Sequence, residues 1–382
     1  MYMEYFLYFL PFIFAAVYLF IFREKLNIWF YVSLIGTSIF FTFVIKNIMV
    51  SCNETDTEYY GGYISKITHY DEWDEWVHRT CTKRVYDGTD SEGHTKYRTE
   101  HYDCSYREVH PERWKYTDDN GIEHYFFSKT EFDQVKKEFG NPKMVFREMH
   151  RNYYKKDGDA QDYFYDGKVE HVRALTSKHD YKNKLISSKS IFNLEDIDKD
   201  EAKKIGLFDY PEIINDDQDV IIGKCLPLKT HKKFKYINSI YGSSRQFRIY
   251  LLIFDGKPYN ISEQQRAYWQ GGNKNEFVVC LGYDKNDNKI TWCNAFSWSD
   301  KPTLELATER FFRENNRFSD IDKYGDWLRG NLNLWERKKF HDFDYIETEL
   351  SVWQNVILTI LTFIFNIAMP FFTINYFRTE KW

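Results

Sequence analysis

The spacing His-x-x-Cys occurs twice in a short stretch, as His78 with Cys81 and His101 with Cys104. Two imidazoles and two thiols form an acceptable tetrahedral set for zinc. On strands, however, residues three apart point to opposite faces, so each pair would need a turn to converge. The competing chemistry is a disulfide. The midpoint between Cys81 and Cys104 falls between residues 92 and 93, inside the polar tip "DGTDSEGH", so a hairpin would bring the two thiols together. Cys280 and Cys293 flank "DKNDNK" in the same way, with a midpoint between Asn286 and Asp287, and are expected to bridge across a second hairpin. Cys52 and Cys225 remain, and a bond between them would tie the two halves of the chain to its anchor.

Other residue groups offer weaker chemistry. Asp216, Asp217 and Asp219 in "INDDQD" are candidates for a hard divalent cation such as calcium or magnesium, although an acidic surface loop explains them as well. "DKNDNKITW" resembles a calcium loop but has Lys289 where glycine is required and Ala295 where the bidentate glutamate belongs. Trp73 and Trp76 alternate with acids in "YDEWDEW". They are candidates for stacking a sugar or a peptide, and a strand with one wet face gives the same pattern. G-x-S-x-G, H-E-x-x-H, Walker A and G-x-G-x-x-G are all absent, so no catalytic residue is assigned. Asp and Glu outnumber Lys and Arg by 57 to 52 with the signs mixed, which argues against a nucleic-acid partner.

The elements that would position these residues begin with the chain ends. Residues 5–22, 28–48 and 351–377 are apolar and nearly free of charge, long enough for three membrane-crossing helices. Arg23 and Lys25 lie in the short loop between the first two, and Arg378 and Lys381 in the tail 378–382. Basic flanks favour the cytoplasm, so the N-terminus and everything from about 51 to 350 are expected outside, in an oxidising compartment. Residues 51–190 read as strands and turns, with Asn120-Gly121 marking a hairpin and "SKTEFDQVKKEFG" an amphipathic helix. Residues 191–350 read as alternating helices and strands, including a helix ending at Gly242 and another capped by Ser262 and Gln265.

The segments "FKYINSIYGSSRQFRIYLLIF", "YWQGGNKNEFVVCLGYD" and "KITWCNAFSW" give residues 230–316 a pattern that resembles the TPM domain. The resemblance implies an α/β sandwich on an exported, membrane-anchored protein. Some members of that family are acid phosphatases and others act in assembly. This chain has Glu276 where the family usually has glycine, and Asn294-Ala295-Phe296 where the family's next strand ends in glycines, so no site residue carries over. The expected whole is an α+β, extracytoplasmic domain held by a helical hairpin (1–50) and a C-terminal helix. Its expected role is non-enzymatic binding of a partner protein or envelope component. The alternative is a metal-dependent phosphatase using the 216–219 carboxylates.

Overall fold

A computed structural model describes residues 2–22, 26–125, 127–151, 155–165, 174–185, 197–213 and 220–377. Two of its helices, α2 (Ile28–Glu54) and α9 (Val352–Phe377), are long and apolar enough to cross a membrane. The third expected span is the helix α1 (Tyr2–Phe22), whose apolar part, Phe6–Phe22, is shorter than theirs. α1 packs on both others: Phe14 meets the edge of Phe363 of α9 at 5.1 Å, the Tyr18 hydroxyl donates to the Asn366 carbonyl at 3.1 Å, and the Tyr18 ring meets Phe30 of α2 edge-on at 6.3 Å. Between α2 and α9, Phe41 stacks on Phe365 at 4.3 Å. Ser38 and Thr42 are fully buried; Asn366 Nδ2 donates to Ser38 Oγ at 2.7 Å, and the Thr42 and Thr362 hydroxyls meet at 3.2 Å. Side chains with no water to bond find partners on the neighbouring helix. Arg23, Lys25, Arg378 and Lys381 lie outside the described residues.

Thr55 caps α2 and is also the first residue of β1 (Thr55–Tyr70). The first part of β1 pairs with β10 (Ala174–Lys182), and its second part lies between β6 (Arg113–Asp118) and β9 (Ala160–Phe164). β7 (Glu123–His124) and β8 (Lys143–Arg147) complete this antiparallel sheet. Helix α3 (Lys129–Phe139) covers it, with Phe132 and Val135 packed on Ile64, Ile67 and Phe127. The Ser128–Glu131 capping box and Gly140, at φ 83°, fix the ends of α3.

The second sheet runs β11 (Ile221–Ile222), β12 (Arg248–Asp255), β13 (Glu276–Asp284) and β14 (Lys289–Ser297), parallel except for the last pair. Residues of β12 and β13 are almost all buried, as parallel strands covered on both faces must be. The helices around this sheet are α4 (Lys199–Ile205), α5 (Leu228–Arg245), α6 (Ile261–Tyr268), α7 (Thr303–Glu314) and α8 (Asp320–Asn331).

Several sequence expectations are corrected here. Gly242 does not stop α5, which continues to Arg245; it is where α5 touches β1. A Cβ on Gly242 would lie 2.2 Å from the Gly61 carbonyl oxygen, and one on Gly61 would lie 2.1 Å from that of Asn238. Ser262 and Gln265 form no capping box: Ser262 donates to the Tyr259 carbonyl at 2.7 Å, and Gln265 bonds the backbone of Phe208 at 2.8 and 3.0 Å. Cys280 and Cys293 are free thiols, because a bulge between Gly282 and Tyr283 shifts the register and sets Cys280 opposite Asn294. Burial pushes both of these thiols up from their ordinary range. Cys52 and Cys225 are also free, and both are exposed.

Candidate functional site

Between β1 and β6 the chain leaves its sheet and returns through four strands. β2 (Trp73–Val77) pairs with β5 (Tyr106–His110), and β3 (Thr80–Thr89) pairs with β4 (Thr95–Asp103). These are two successive two-stranded ribbons, and no residue of the four strands is buried. At about 3.3 Å per residue the backbone of this arm, from Trp73 to the tip, has a contour length of roughly 60 Å.

The tip is an Asp90 turn. Asp90 Oδ1 accepts from the amides of Glu92 at 3.0 Å and His94 at 2.8 Å. Gly88 and Gly93 take the positive φ values of 97° and 88° that the bulge and turn demand. At the joint between the ribbons, Cys81 and Cys104 are bonded, with Cα atoms 5.8 Å apart. They are not directly opposed: Cys81 faces Tyr102, and Cys104 lies just beyond β4, where its amide donates to the Arg79 carbonyl at 2.9 Å. With the sulfurs bonded to one another, and His78 and His101 exposed, the two His-x-x-Cys pairs form no ligand set.

The root of the arm is fixed by Trp73. Its ring stacks on His110 at 4.5 Å, its Nε1 donates to the Lys156 carbonyl at 2.6 Å, and the Arg151 guanidinium lies 4.6 Å from the ring centre. Trp73 is thus an anchor, whereas Trp76, on the other face of the same strand, is 58% exposed. Glu75 stands directly opposite Glu108, and with His110 they present ligand atoms within 4.8 Å of one another. Two carboxylates directly opposed on a ladder repel. The Lys156 ammonium offsets this by bonding Glu75, which His110 Nε2 also meets at 3.1 Å. The lysine contact holds the Glu75 carboxyl below the usual range and raises Lys156. A divalent cation would have to displace Lys156 to use the three ligands. Sequence reading missed this cluster because its members come from separate strands; the usable signal was the strand alternation Glu108-x-His110.

Beyond the root, Tyr86 and Tyr97 face each other across the ladder and are 60% and 61% exposed, and Tyr102 and Tyr106 are exposed as well. The charges between them alternate in sign, as in Arg107–Asp74 at 2.6 Å and Arg98–Glu100 at 2.7 Å. Asp216, Asp217 and Asp219 lie outside the described residues.

Elsewhere, Glu276 forms a polar knot in the α/β core. It is fully buried, accepts from the Asn273 amide at 2.9 Å and from the Tyr210 hydroxyl, and lies beside Arg248 in register. Burial pushes its carboxyl above the usual range. Its oxygens are satisfied by Asn273 and by Tyr210, which is 36% exposed, and this is the pattern of a packing device.

Compared with family models, curated proteins and solved structures, the chain matches none of them.

Proposed function

We propose that the protein is a membrane-anchored binding protein that presents its β arm to a partner protein or envelope component outside the cytoplasm, with no catalysis of its own. The observation that carries this reading is the exposure of Trp76, Tyr86, Tyr97 and Tyr102 on ribbons with unpaired edges. Exposed aromatic side chains on an edge-bearing strand pair are a common basis for protein recognition.

Three further parts of the reading support one another. α1 joins α2 and α9 as a third membrane helix, in a locally thinned bilayer. The basic residues 23, 25, 378 and 381 hold the loop and tail inside, which puts residues 51–350 outside. The bonded Cys81–Cys104 pair fits an oxidising compartment. We read residues 230–316 as a TPM-like region, packed through α5 against β1 of the sheet from which the arm extends.

The test is photo-crosslinking in intact cells from residues introduced at Trp76, Tyr86 and Tyr97, with Leu306, exposed on α7, as control. One shared adduct from the arm positions and none from 306 is expected. Equal labelling from all four sites sinks the reading. Hydrolysis of a phosphomonoester by the full chain with calcium, magnesium or manganese, abolished by Asp217→Ala, would replace it with the phosphatase alternative.

A further inference from the structure

The charge-free part of α2 ends at Lys46, and eight residues of helix, from Asn47 to Glu54, remain. A bilayer's hydrocarbon is about 30 Å thick, with roughly 5–8 Å of headgroup on each side. At about 1.5 Å per residue, Asn47 to Ser51 therefore cross the headgroup layer. At that depth a groove of about 560 Å³ opens between the end of α2 and the end of β10. Its lining includes Asn47, Val50, Ser51, Glu54, Asp180 and Lys182.

The lining is built rather than incidental. The Glu54 side chain is 92% buried; it accepts from Thr348 Oγ1 at 2.6 Å and pairs with Lys182 Nζ at 3.0 Å. Asp180 Oδ1 accepts from Thr57 Oγ1 at 2.9 Å. Asn53 and Gln354 exchange two amide hydrogen bonds, of 2.9 and 2.6 Å, and thereby lock α2 to α9 at the same level. Two carboxylates, Glu54 and Asp180, and one ammonium, Lys182, belong to this lining, and Lys178, outside it, lies 3.8 Å from Asp180. An anionic headgroup would meet net repulsion there, and a neutral one would leave Lys182 without a phosphate. A phosphodiester bearing a primary ammonium satisfies both signs: phosphate toward Lys182, whose side chain is 58% exposed, and ammonium toward Asp180. A quaternary ammonium lacks N–H donors for a carboxylate and favours an aromatic face. Tyr181, the aromatic residue of the lining, already holds Lys274 over its ring at 3.9 Å and donates its hydroxyl to Asp56 at 2.6 Å.

We infer that this groove binds the zwitterionic, primary-amine headgroup of a phospholipid in the outer leaflet, and so fixes the height of the external domain above the membrane. The inference rests on the membrane reading above. Its test takes the full chain in detergent with equimolar phosphatidylethanolamine and phosphatidylcholine and measures retained lipid by native mass spectrometry. One charge-assisted hydrogen bond to a carboxylate corresponds to about tenfold preference. About tenfold enrichment of phosphatidylethanolamine is expected, falling to parity in Asp180→Asn and in Lys182→Glu. Equal retention of the two lipids, or undiminished preference in both variants, overturns the inference. So does displacement of the lipid by equimolar glycerophosphoethanolamine, which would make a soluble phosphodiester the ligand. Alkaline carbonate extraction of cell membranes separates the two readings. Release of the chain removes the membrane reading and this inference together, whereas a retained chain without lipid preference removes this inference alone.

Discussion

At the scale of single residues, two glycines set the approach of β1 to α5. Gly61 and Gly242 let β1 lie directly on α5, where a Cβ on either residue would overlap backbone. Gly242→Ala is expected to cost about 2 kcal/mol through overpacking. Gly330→Ala, in α8 with open space around it, is expected to stabilise by about 0.5–1 kcal/mol. Thermal or denaturant unfolding of the two variants checks the opposite signs; if both destabilise equally, the contact is not what constrains Gly242. The sequence reading took Gly242 for a helix stop because a glycine that ends a helix and one that admits a neighbour look alike without the neighbour. Cys280 and Cys293 show the same limit: symmetry about a turn puts them face to face, and one bulged residue undoes the symmetry. Trp73 and Trp76 were read as equivalent, and only the packing of the root distinguishes them.

At the scale of elements, the arm sets the question of what keeps two-stranded ribbons folded. Such ribbons are marginal in water by themselves. Here the root is anchored at Trp73 and the joint is closed by the Cys81–Cys104 bond, which spans 23 residues. A loop of that size corresponds to about 3 kcal/mol of stabilisation. Replacing both cysteines by serine is expected to raise amide exchange in β3 and β4 by about a hundredfold while β12 and β13 keep their protection. Unchanged exchange in β3 and β4 would show that the arm holds itself without the bond. The elements best read in advance were those with a strong local signature: the apolar helices, the capped α3, the continuous apolar run of β12 and the Asn120-Gly121 turn. Pairing between distant strands was not legible, because β1 takes partners more than a hundred residues away in β10. Such pairing depends on complementary surfaces that no local pattern states.

At the scale of the whole molecule, one carboxylate joins the parts. Glu58 in β1 is 2% exposed and is gripped by Arg337 at 2.8 and 2.9 Å and by Lys274 at 3.1 Å, while the Tyr60 hydroxyl donates to it at 2.7 Å. Burial lowers Lys274 from its ordinary range even with this partner. Glu58→Ala would leave two half-enclosed cations facing each other, and a loss of about 3 kcal/mol or more is expected. In a domain of this size that is a fall of roughly 5 °C in Tm, with the signals of both sheets moving together. A shift confined to one sheet's signals would show that the two parts unfold independently.

The junction at Thr55 has a mechanical meaning. There is no slack between the helix that ends at Glu54 and the strand that begins at the next residue, and only two residues separate that strand from the arm. A tug on the tip is therefore delivered along one taut backbone, with the hydrogen bonds of β1 loaded in shear. Force applied at the arm is passed to α2 as stiffly as a sheet resists sliding.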